Sequence, residues 1–288
     1  MIVVVSGAGG RTGQSIVPAL VRAGHTVRFI TRKTRYSGPL ASLEDAAPVI
    51  ADLGNDDEIA RAIDGADAIY HIPPNMHPEE IAFGKRVVAA ARRAGVGHLV
   101  YHSVLHPQVE ALKHHWNKVF VEEAVIESGL PYTILEPSSY MQNTMGDWKG
   151  ISESGVHTLA FSTAARLSLV DLEDVAEVAA MVIGNPQHHH AIYELAGPDM
   201  LSCEDKAATL SKVLGRPVLA AADSLDDFRR KAQAAGMPPH VIETRALMFA
   251  HYDVQGLPGN ANVLGWLLGR KPTTYEQYVR RELLPLLK

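Results

Sequence analysis

The stretch IVVVSGAGGRTG occupies residues 2–13 and decides the fold of this 288-residue chain. The apolar run at 2–5 predicts a short buried strand, and the residues from 14 to 23 predict an amphipathic helix. Glycines between the two permit a tight turn and let the backbone approach a ligand closely. A strand, a glycine-rich turn and a helix in this order predict the phosphate-binding corner of a dinucleotide-binding fold.

The glycine spacing is G-x-x-G-x-x-G, because Thr12 takes the last glycine position of the commoner G-x-G-x-x-G pattern. The free N–H groups at the helix start would bind a pyrophosphate. No Gly-Lys-Ser/Thr follows, which excludes a Walker-type phosphate loop. The alternative is a glycine turn without a ligand. The residues that we expect to contact the pyrophosphate are Gly7, Gly9, Gly10, Arg11, Thr12 and Gly13.

The end of the second predicted strand indicates which dinucleotide binds. An acidic residue at this place would accept the ribose hydroxyls of NAD, but the chain has Arg32 and Lys33 instead. Two cations here favour the 2′-phosphate of NADP(H), although solvated surface cations are the alternative. Asp52 and Leu53 follow the third predicted strand and could edge the adenine pocket.

Strands alternate with helices as far as residue 136, which predicts βαβ units. We therefore expect an α/β fold, a Rossmann-type doubly wound parallel sheet, with a smaller, mostly helical C-terminal lobe. Residues 1–150 form the predicted NADP-binding domain, to which 157–196 also contribute, and 197–288 form the predicted substrate lobe. The lobe is expected over the carboxyl edge of the sheet.

Composition narrows the function classes. The net charge of -5 argues against a nucleic-acid surface, and no apolar stretch is long enough to predict a membrane span. Cys203 is the one cysteine, which fits a reducing compartment. We expect a cytoplasmic protein whose partner is a small-molecule substrate, and an oligomer is left open. The tract His188–His190 lacks spaced acidic or cysteine partners, so a turn rather than a metal site is expected.

Several segments together resemble the NmrA-like family of atypical short-chain dehydrogenases/reductases, over most of the chain. Beyond the glycine motif, the segment from residue 114 to 143 is the most particular to that family. The segments that carry the resemblance are VSGAGGRTG at 5–13, HHWNK at 114–118, EE at 122–123, SGLPYTIL at 128–135, PSSYMQN at 137–143 and VDLEDVA at 170–176.

The resemblance implies a catalytic set that is incomplete. Ordinary short-chain dehydrogenases pair a Tyr with a Lys four residues later. This chain keeps Lys118, expected at the nicotinamide ribose, but has His114 in the place of the Tyr. His114 could act as an acid or base, or only line the pocket. Ser103 matches the serine of the ordinary catalytic set in location. The alternative role for Ser103 is a hydroxyl that only caps the backbone at the end of the strand.

Further residues are expected near the cofactor. Tyr140 is predicted near the substrate as well as the cofactor, and the remaining predicted cofactor contacts are Ile72, Pro73, Pro74 and Pro137. We therefore predict an NADPH-dependent oxidoreductase acting on a small quinone, aromatic or carbonyl compound. The rival, from the same resemblance, is a non-catalytic NADP(H)-binding redox sensor.

Overall fold

The computed structural model describes residues 1–32 and 39–287, so Lys33 lies outside the described residues. The described strands are β1 (Ile2–Ser6), β2 (Thr26–Thr31), β3 (Ala46–Ile50), β4 (Ala68–His71), β5 (His98–His102), β6 (Tyr132–Pro137), β7 (Ser139–Tyr140), β8 (Val156–Leu159), β9 (Leu167–Val170), β10 (Ala191–Leu195), β11 (Met200–Leu201) and β12 (Leu219–Ala222). The described helices are α1 (Arg11–Arg22), α2 (Asp56–Ile63), α3 (Glu80–Ala94), α4 (Lys113–Ile126), α5 (Leu172–Val182), α6 (Cys203–Leu214), α7 (Leu225–Ala234), α8 (Pro239–Gln255), α9 (Ala261–Leu268) and α10 (Tyr275–Tyr278).

A seven-stranded sheet has the order β10-β6-β5-β4-β1-β2-β3, and all of its strands but β10 come from the first half of the chain. The pairings from β6 through β3 are parallel. Chain order reverses at β1, which lies between β4 and β2, and a dinucleotide binds at the carboxyl edge of such a switch point. The predicted Rossmann-type sheet is confirmed. Helix α1 begins at Arg11, three residues before the predicted start, because the glycine turn is shorter than its sequence pattern indicated.

One face of this sheet forms the main core. Val4, Ile69 and Leu99 lie side by side on neighbouring strands and are fully or almost fully buried. They pack in one cluster with residues of α3 and α4, including Val87 and Val121. Strands buried on both faces are typical of a parallel sheet covered by helices, which explains why β1, β4 and β5 are apolar without alternation.

The same register carries polar residues to the carboxyl edge. Ser6 pairs with His71, and His71 pairs with Tyr101, so all three share the face covered by α3 and α4. All three are buried, with at most 1% exposure. Burying polar groups beside an apolar core costs free energy unless they have hydrogen-bond partners. A concentration of such groups at the carboxyl edge therefore makes this edge the candidate functional site.

The chain divides into two compact units. The first consists of residues 1–108, 115–136 and 175–193, and the second of residues 109–114, 137–174 and 194–288. Helices predominate in the second unit after Cys203, as expected, but it also contains β8 paired with β12 and the sheet β11-β9-β7, which the sequence did not indicate. These strands have two to four residues, too few to show a periodicity. The predicted functional division at residues 150 and 197 stays a prediction.

Across the described ranges, no helix combines the length and the apolar character that crossing a bilayer requires.

Candidate cofactor and active site

Two glycines of the loop after β1 are required by the fold itself. Gly7 has φ +69°, and a Cβ there would stand 2.5 Å from the carbonyl oxygen of Ile72. A Cβ on Gly13 would overlap the backbone of Ala8. The loop is therefore packed against the end of β4 on one side and against its own helix on the other, which places Ile72 beside the glycine turn.

The other two glycines face open space. A Cβ on Gly9 would meet no described atom within 4 Å, and one on Gly10 would meet only the Gly7 carbonyl oxygen, at 3.5 Å. Helix α1 starts directly after Gly10, with no acidic residue in its first turn. The fold does not need these two positions to be glycine, whereas a phosphate approaching the helix start does. The loop thus fits a pyrophosphate at the place that the sequence predicted.

Ser6 joins the ends of β1 and β4 beneath this loop. Its hydroxyl lies 2.6 Å from Nδ1 of His71 and accepts a hydrogen bond from the backbone N–H of Ile72 at 3.1 Å. Burial and, to a smaller extent, the charge of Lys118 together lower the pKa of His71 to about 3, so the ring is neutral at physiological pH. Pro73 is buried next to Ile72, and Pro74 is half-buried. The predicted contacts of Ile72, Pro73 and Pro74 with the cofactor stay predictions.

The predicted adenosine end lies at the carboxyl ends of β2 and β3. Arg32 directly follows β2 and is exposed. The carboxylate of Asp52, after β3, accepts a hydrogen bond from the backbone N–H of Gly54 at 2.8 Å, so it stabilises its own turn. Leu53 packs against the core. The roles of Arg32, Asp52 and Leu53 at the adenosine end stay predictions.

Lys118 is buried and forms an ion pair with Glu80, the first residue of α3. Close contact between the helices brings the two side chains together. Gly84 lies one turn after Glu80, and a Cβ there would stand 2.7 Å from each methyl of Val121. Glu80 was not recognised from the sequence, because an acidic residue at a helix start has many roles. The predicted contact of Lys118 with the nicotinamide ribose stays a prediction.

Ser103 follows β5 and donates its hydroxyl to the carboxylate of Glu122. Its backbone N–H donates to the carbonyl oxygen of Leu135 at 2.8 Å, which fixes the residue at the sheet edge. Burial raises the pKa of Glu122, against the opposing effects of the Ser103 hydrogen bond and of Lys118. Glu122 lies four residues after Lys118, and that i, i+4 spacing was the signal that could have identified it.

Tyr101 and His102 are two further buried polar side chains of the first unit. The Tyr101 ring stacks on His71 with centroids 5.7 Å apart, and its hydroxyl finds no hydrogen-bond partner in the described structure. Burial and the charges of Glu80 and Glu122 raise the pKa of Tyr101 well above its usual value. His102 contacts the Tyr70 hydroxyl at 2.8 Å through Nδ1. We call the group Glu80, His71, Tyr101, Ser103, Lys118 and Glu122 the edge cluster.

The remaining predicted residues belong to the second unit. His114 is half-buried in the first turn of α4, four residues before Lys118. Tyr140 lies in β7, where it pairs with Val170 of β9, and Pro137 is buried at the end of β6. The predicted places of His114, Pro137 and Tyr140 at the cofactor stay predictions.

The tract at residues 188–190 is a turn with its own contacts. His188 lies 3.0 Å from the Tyr193 hydroxyl, and the ring of His189 packs 4.6 Å from that of His98. His98 itself accepts a hydrogen bond from the Gly184 N–H at 2.9 Å and contacts Thr133 at 3.0 Å, so both its nitrogens are engaged. These contacts account for the histidines as parts of a packed turn.

Comparison with known proteins identifies the family. The model of the NmrA-like family matches residues 1–278. The chain belongs to the NmrA-like family. The family expectation is thereby confirmed over nearly the whole chain.

Two relatives of this chain are reductases by name. It is 31% identical to the (4-alkanoyl-5-oxo-2,5-dihydrofuran-3-yl)methyl phosphate reductase of Streptomyces griseus, over 84% of each chain. It is 26% identical to the NAD(P)H azoreductase of Xenophilus azovorans, over 97% of each chain.

Solved structures of similar proteins include an oxidoreductase and a transcriptional regulator. The NADPH-dependent quinone oxidoreductase of Escherichia coli, in complex with NADPH, matches with a TM-score of 0.84 at 25% identity, over 96% of this chain and 98% of that one. The negative transcriptional regulator NmrA, in complex with NADP, matches with a TM-score of 0.81 at 20% identity, over 99% of this chain and 95% of that one. The second likeness shows the fold alone.

Proposed function

We propose that this chain is an NADPH-dependent oxidoreductase that reduces a small quinone, aromatic or carbonyl compound. The observation that carries the proposal is the open face of the glycine loop, where Gly9 and Gly10 leave room above the start of α1 that the fold itself does not need. The names of the relatives confirm the predicted class, a reductase that uses NADP(H).

Each end of the cofactor has a proposed set of residues. Gly9, Gly10 and the first turn of α1 would bind the pyrophosphate, and Arg32 with Lys33 would bind the 2′-phosphate. Ser103 follows β5, and Lys118 lies on α4, the helix after β5. In the sheet order, β5 is on the other side of β1 from β2, the strand that Arg32 follows, and we propose that the nicotinamide binds on the β5 side. The bound nicotinamide would supply a hydride to the acceptor.

The residues of the chain would orient the two reactants and exclude water from the cofactor. Binding both reactants in one orientation is the largest requirement for hydride transfer to an electron-poor acceptor. The neutral rings of His71 and His102 and the buried wall at residues 72–74 would exclude water from the cofactor. His114 and Tyr140 are proposed beside the substrate, where either could contact its polar group.

The rival function is a non-catalytic NADP(H) sensor. It is favoured by His114, which stands where ordinary short-chain dehydrogenases have their proton-donating Tyr. The edge cluster argues against the sensor. Burying two carboxyl groups and a lysine costs free energy, and a protein that only binds NADP(H) would gain nothing from retaining them.

The proposal also covers the cellular compartment and the partner of the protein. We place the enzyme in the cytoplasm, as its single cysteine indicates, with a small molecule and no nucleic acid as its partner. Its oligomeric state is left open.

One assay separates the two functions. The protein is mixed with NADPH and a panel of quinones, azo dyes and aromatic carbonyls, and the loss of nicotinamide absorbance is followed while calorimetry measures NADPH binding. The enzyme predicts turnover with at least one acceptor class. NADPH binding without turnover on any of them would leave the sensor.

A further inference from the structure

We propose that Glu122 supplies, through the hydroxyl of Ser103, the proton that accompanies hydride transfer to the substrate. Glu122 acts through Ser103 and does not itself touch the substrate. The inference rests on the proposed function and names a proton source for it other than His114 and Tyr140.

The geometry places the carboxyl of Glu122 behind the hydroxyl of Ser103, the residue that follows β5. Ser103 is fixed at the sheet edge by its backbone hydrogen bond to Leu135, and its side chain bonds Glu122. Both residues are buried, with 3% and 8% exposure. A serine held at the carboxyl edge beside the predicted nicotinamide side can donate outward when the group behind it donates inward.

Burial raises the pKa of Glu122 and so favours its protonated form, against the opposing effects of the Ser103 hydrogen bond and of the charge of Lys118. Lys118 on α4 faces the carboxyl, but its ammonium is already paired with Glu80 on α3. Tyr101 on β5 and His71 on β4 are the other titratable groups of the edge cluster, and both are neutral at physiological pH. One ammonium therefore faces two buried carboxyls, and the second of them is stabilised by holding a proton. A proton held there is available when the substrate needs it.

The step balances for a quinone. The acceptor gains a hydride and a proton, and NADPH is oxidised to NADP⁺. The O–H bond of Ser103 breaks as an O–H bond forms on the acceptor oxygen, and the carboxyl of Glu122 transfers its proton to Oγ of Ser103. Glu122 is left as a carboxylate one helical turn from Lys118, whose charge stabilises it, and water returns the proton.

The arrangement also explains how the chain could manage without the missing Tyr. A proton donor is still needed at the acceptor oxygen, and the Ser103–Glu122 pair provides one from the same helix that carries Lys118. The expected contribution is that of a general acid, about 100- to 10,000-fold in rate.

The first measurement is independent of turnover. Infrared spectra of the protein are titrated for Glu122→Gln, for its exposed neighbour Glu123→Gln as the matched control, and for the unaltered chain. We expect the C=O band of a protonated carboxyl to persist at neutral pH in the unaltered chain and in Glu123→Gln, and to be lost in Glu122→Gln. No such band at neutral pH in the unaltered chain would overturn the proposal.

The second measurement is the pH profile of kcat with NADPH and tetramethyl-1,4-benzoquinone. Because only the protonated carboxyl donates, kcat should fall as pH rises through the pKa of Glu122. Glu122→Gln should lower kcat about 100-fold or more and lose this limb, with the NADPH dissociation constant within about twofold. Full kcat and an unchanged limb in Glu122→Gln, with loss in His114→Phe or Tyr140→Phe instead, would overturn the relay alone. No turnover of any acceptor by the unaltered protein would overturn the proposed function and the relay with it.

Discussion

The ammonium of Lys118 on α4 is paired with the carboxylate of Glu80 on α3, and the exposures of the two side chains are 5% and 0%. The lysine that the family resemblance assigns to the cofactor is thus oriented by a carboxylate from a neighbouring helix. Removing one partner of such a buried pair leaves an uncompensated charge, whereas removing both does not. The pair therefore links the stability of the first unit to the geometry of its edge cluster.

This linkage predicts a coupled pair in a double-mutant cycle. Glu80→Gln and Lys118→Met should each destabilise the protein by about 3–5 kcal/mol, and the double variant should lose about 1–3 kcal/mol less than the sum. Urea unfolding of the four proteins measures the coupling. Additive effects would mean that the two side chains do not stabilise each other.

The glycine loop predicts two different outcomes for two similar substitutions. Gly10→Val should abolish NADPH binding and leave the melting temperature almost unchanged, because its side chain enters open space that the pyrophosphate needs. Gly13→Val should destabilise the fold itself, because its Cβ would overlap Ala8. Calorimetry and thermal melting followed by circular dichroism separate the two. Normal NADPH binding by Gly10→Val would show that the pyrophosphate lies elsewhere.

Arg32 and Lys33 should give the protein its preference for NADPH over NADH. Charge-assisted contacts with a phosphate contribute about 1.5–3 kcal/mol each, so replacing both residues with Gln should reduce the preference about 100-fold or more. Arg22→Gln, at the exposed far end of α1, is the matched control for loss of surface charge. Equal affinity of the unaltered protein for NADPH and NADH would contradict this assignment.

The buried histidines predict a loss of stability in acid. Burial lowers the pKa to about 3 for His71 and His102 and to about 4 for His98 and His115, against 6.5 for an ordinary histidine. Between these values the unfolded chain binds more protons than the folded one, so stability is present above pH 6.5 and falls as the pH drops toward 4.

Each buried ring should contribute about 1.4 kcal/mol per pH unit to that slope. His98→Gln should lower the slope of unfolding free energy between pH 4.5 and 6 by about one proton, and the exposed His240→Gln should not. Urea unfolding at several pH values measures it. The same slope in His98→Gln as in the unaltered chain would show that His98 is protonated in the folded state.

Local sequence patterns predicted the sheet and the phosphate loop because both depend on neighbouring residues. The apolar run before Gly7 and the helix α1 are close in the chain, and steric rules for glycine then determine the turn between them. The contact between Gly7 and Ile72 follows from the strand order and could be expected once the sheet was known.

The edge cluster depends on contacts between distant residues. Glu80 and Lys118 are 38 positions apart, and Ser103 and Glu122 are 19 apart. Which face of α3 meets which face of α4 is determined by the close approach at Gly84, and a single sequence does not show it. The short strands β8, β9 and β12 escaped prediction for a related reason, since their pairing comes from tertiary contacts rather than from local pattern.

The central claim is that bound NADPH is oxidised on this protein by a small acceptor, and a single-turnover experiment tests it most directly. The protein loaded with one equivalent of NADPH is mixed with an excess of quinone in a stopped-flow instrument, and nicotinamide absorbance is recorded. We expect the absorbance to fall in one exponential phase with an amplitude equal to the bound NADPH, and to fall more slowly when the transferred hydrogen is deuterium. Absorbance that persists for every quinone tested, while calorimetry shows the NADPH bound, would contradict it.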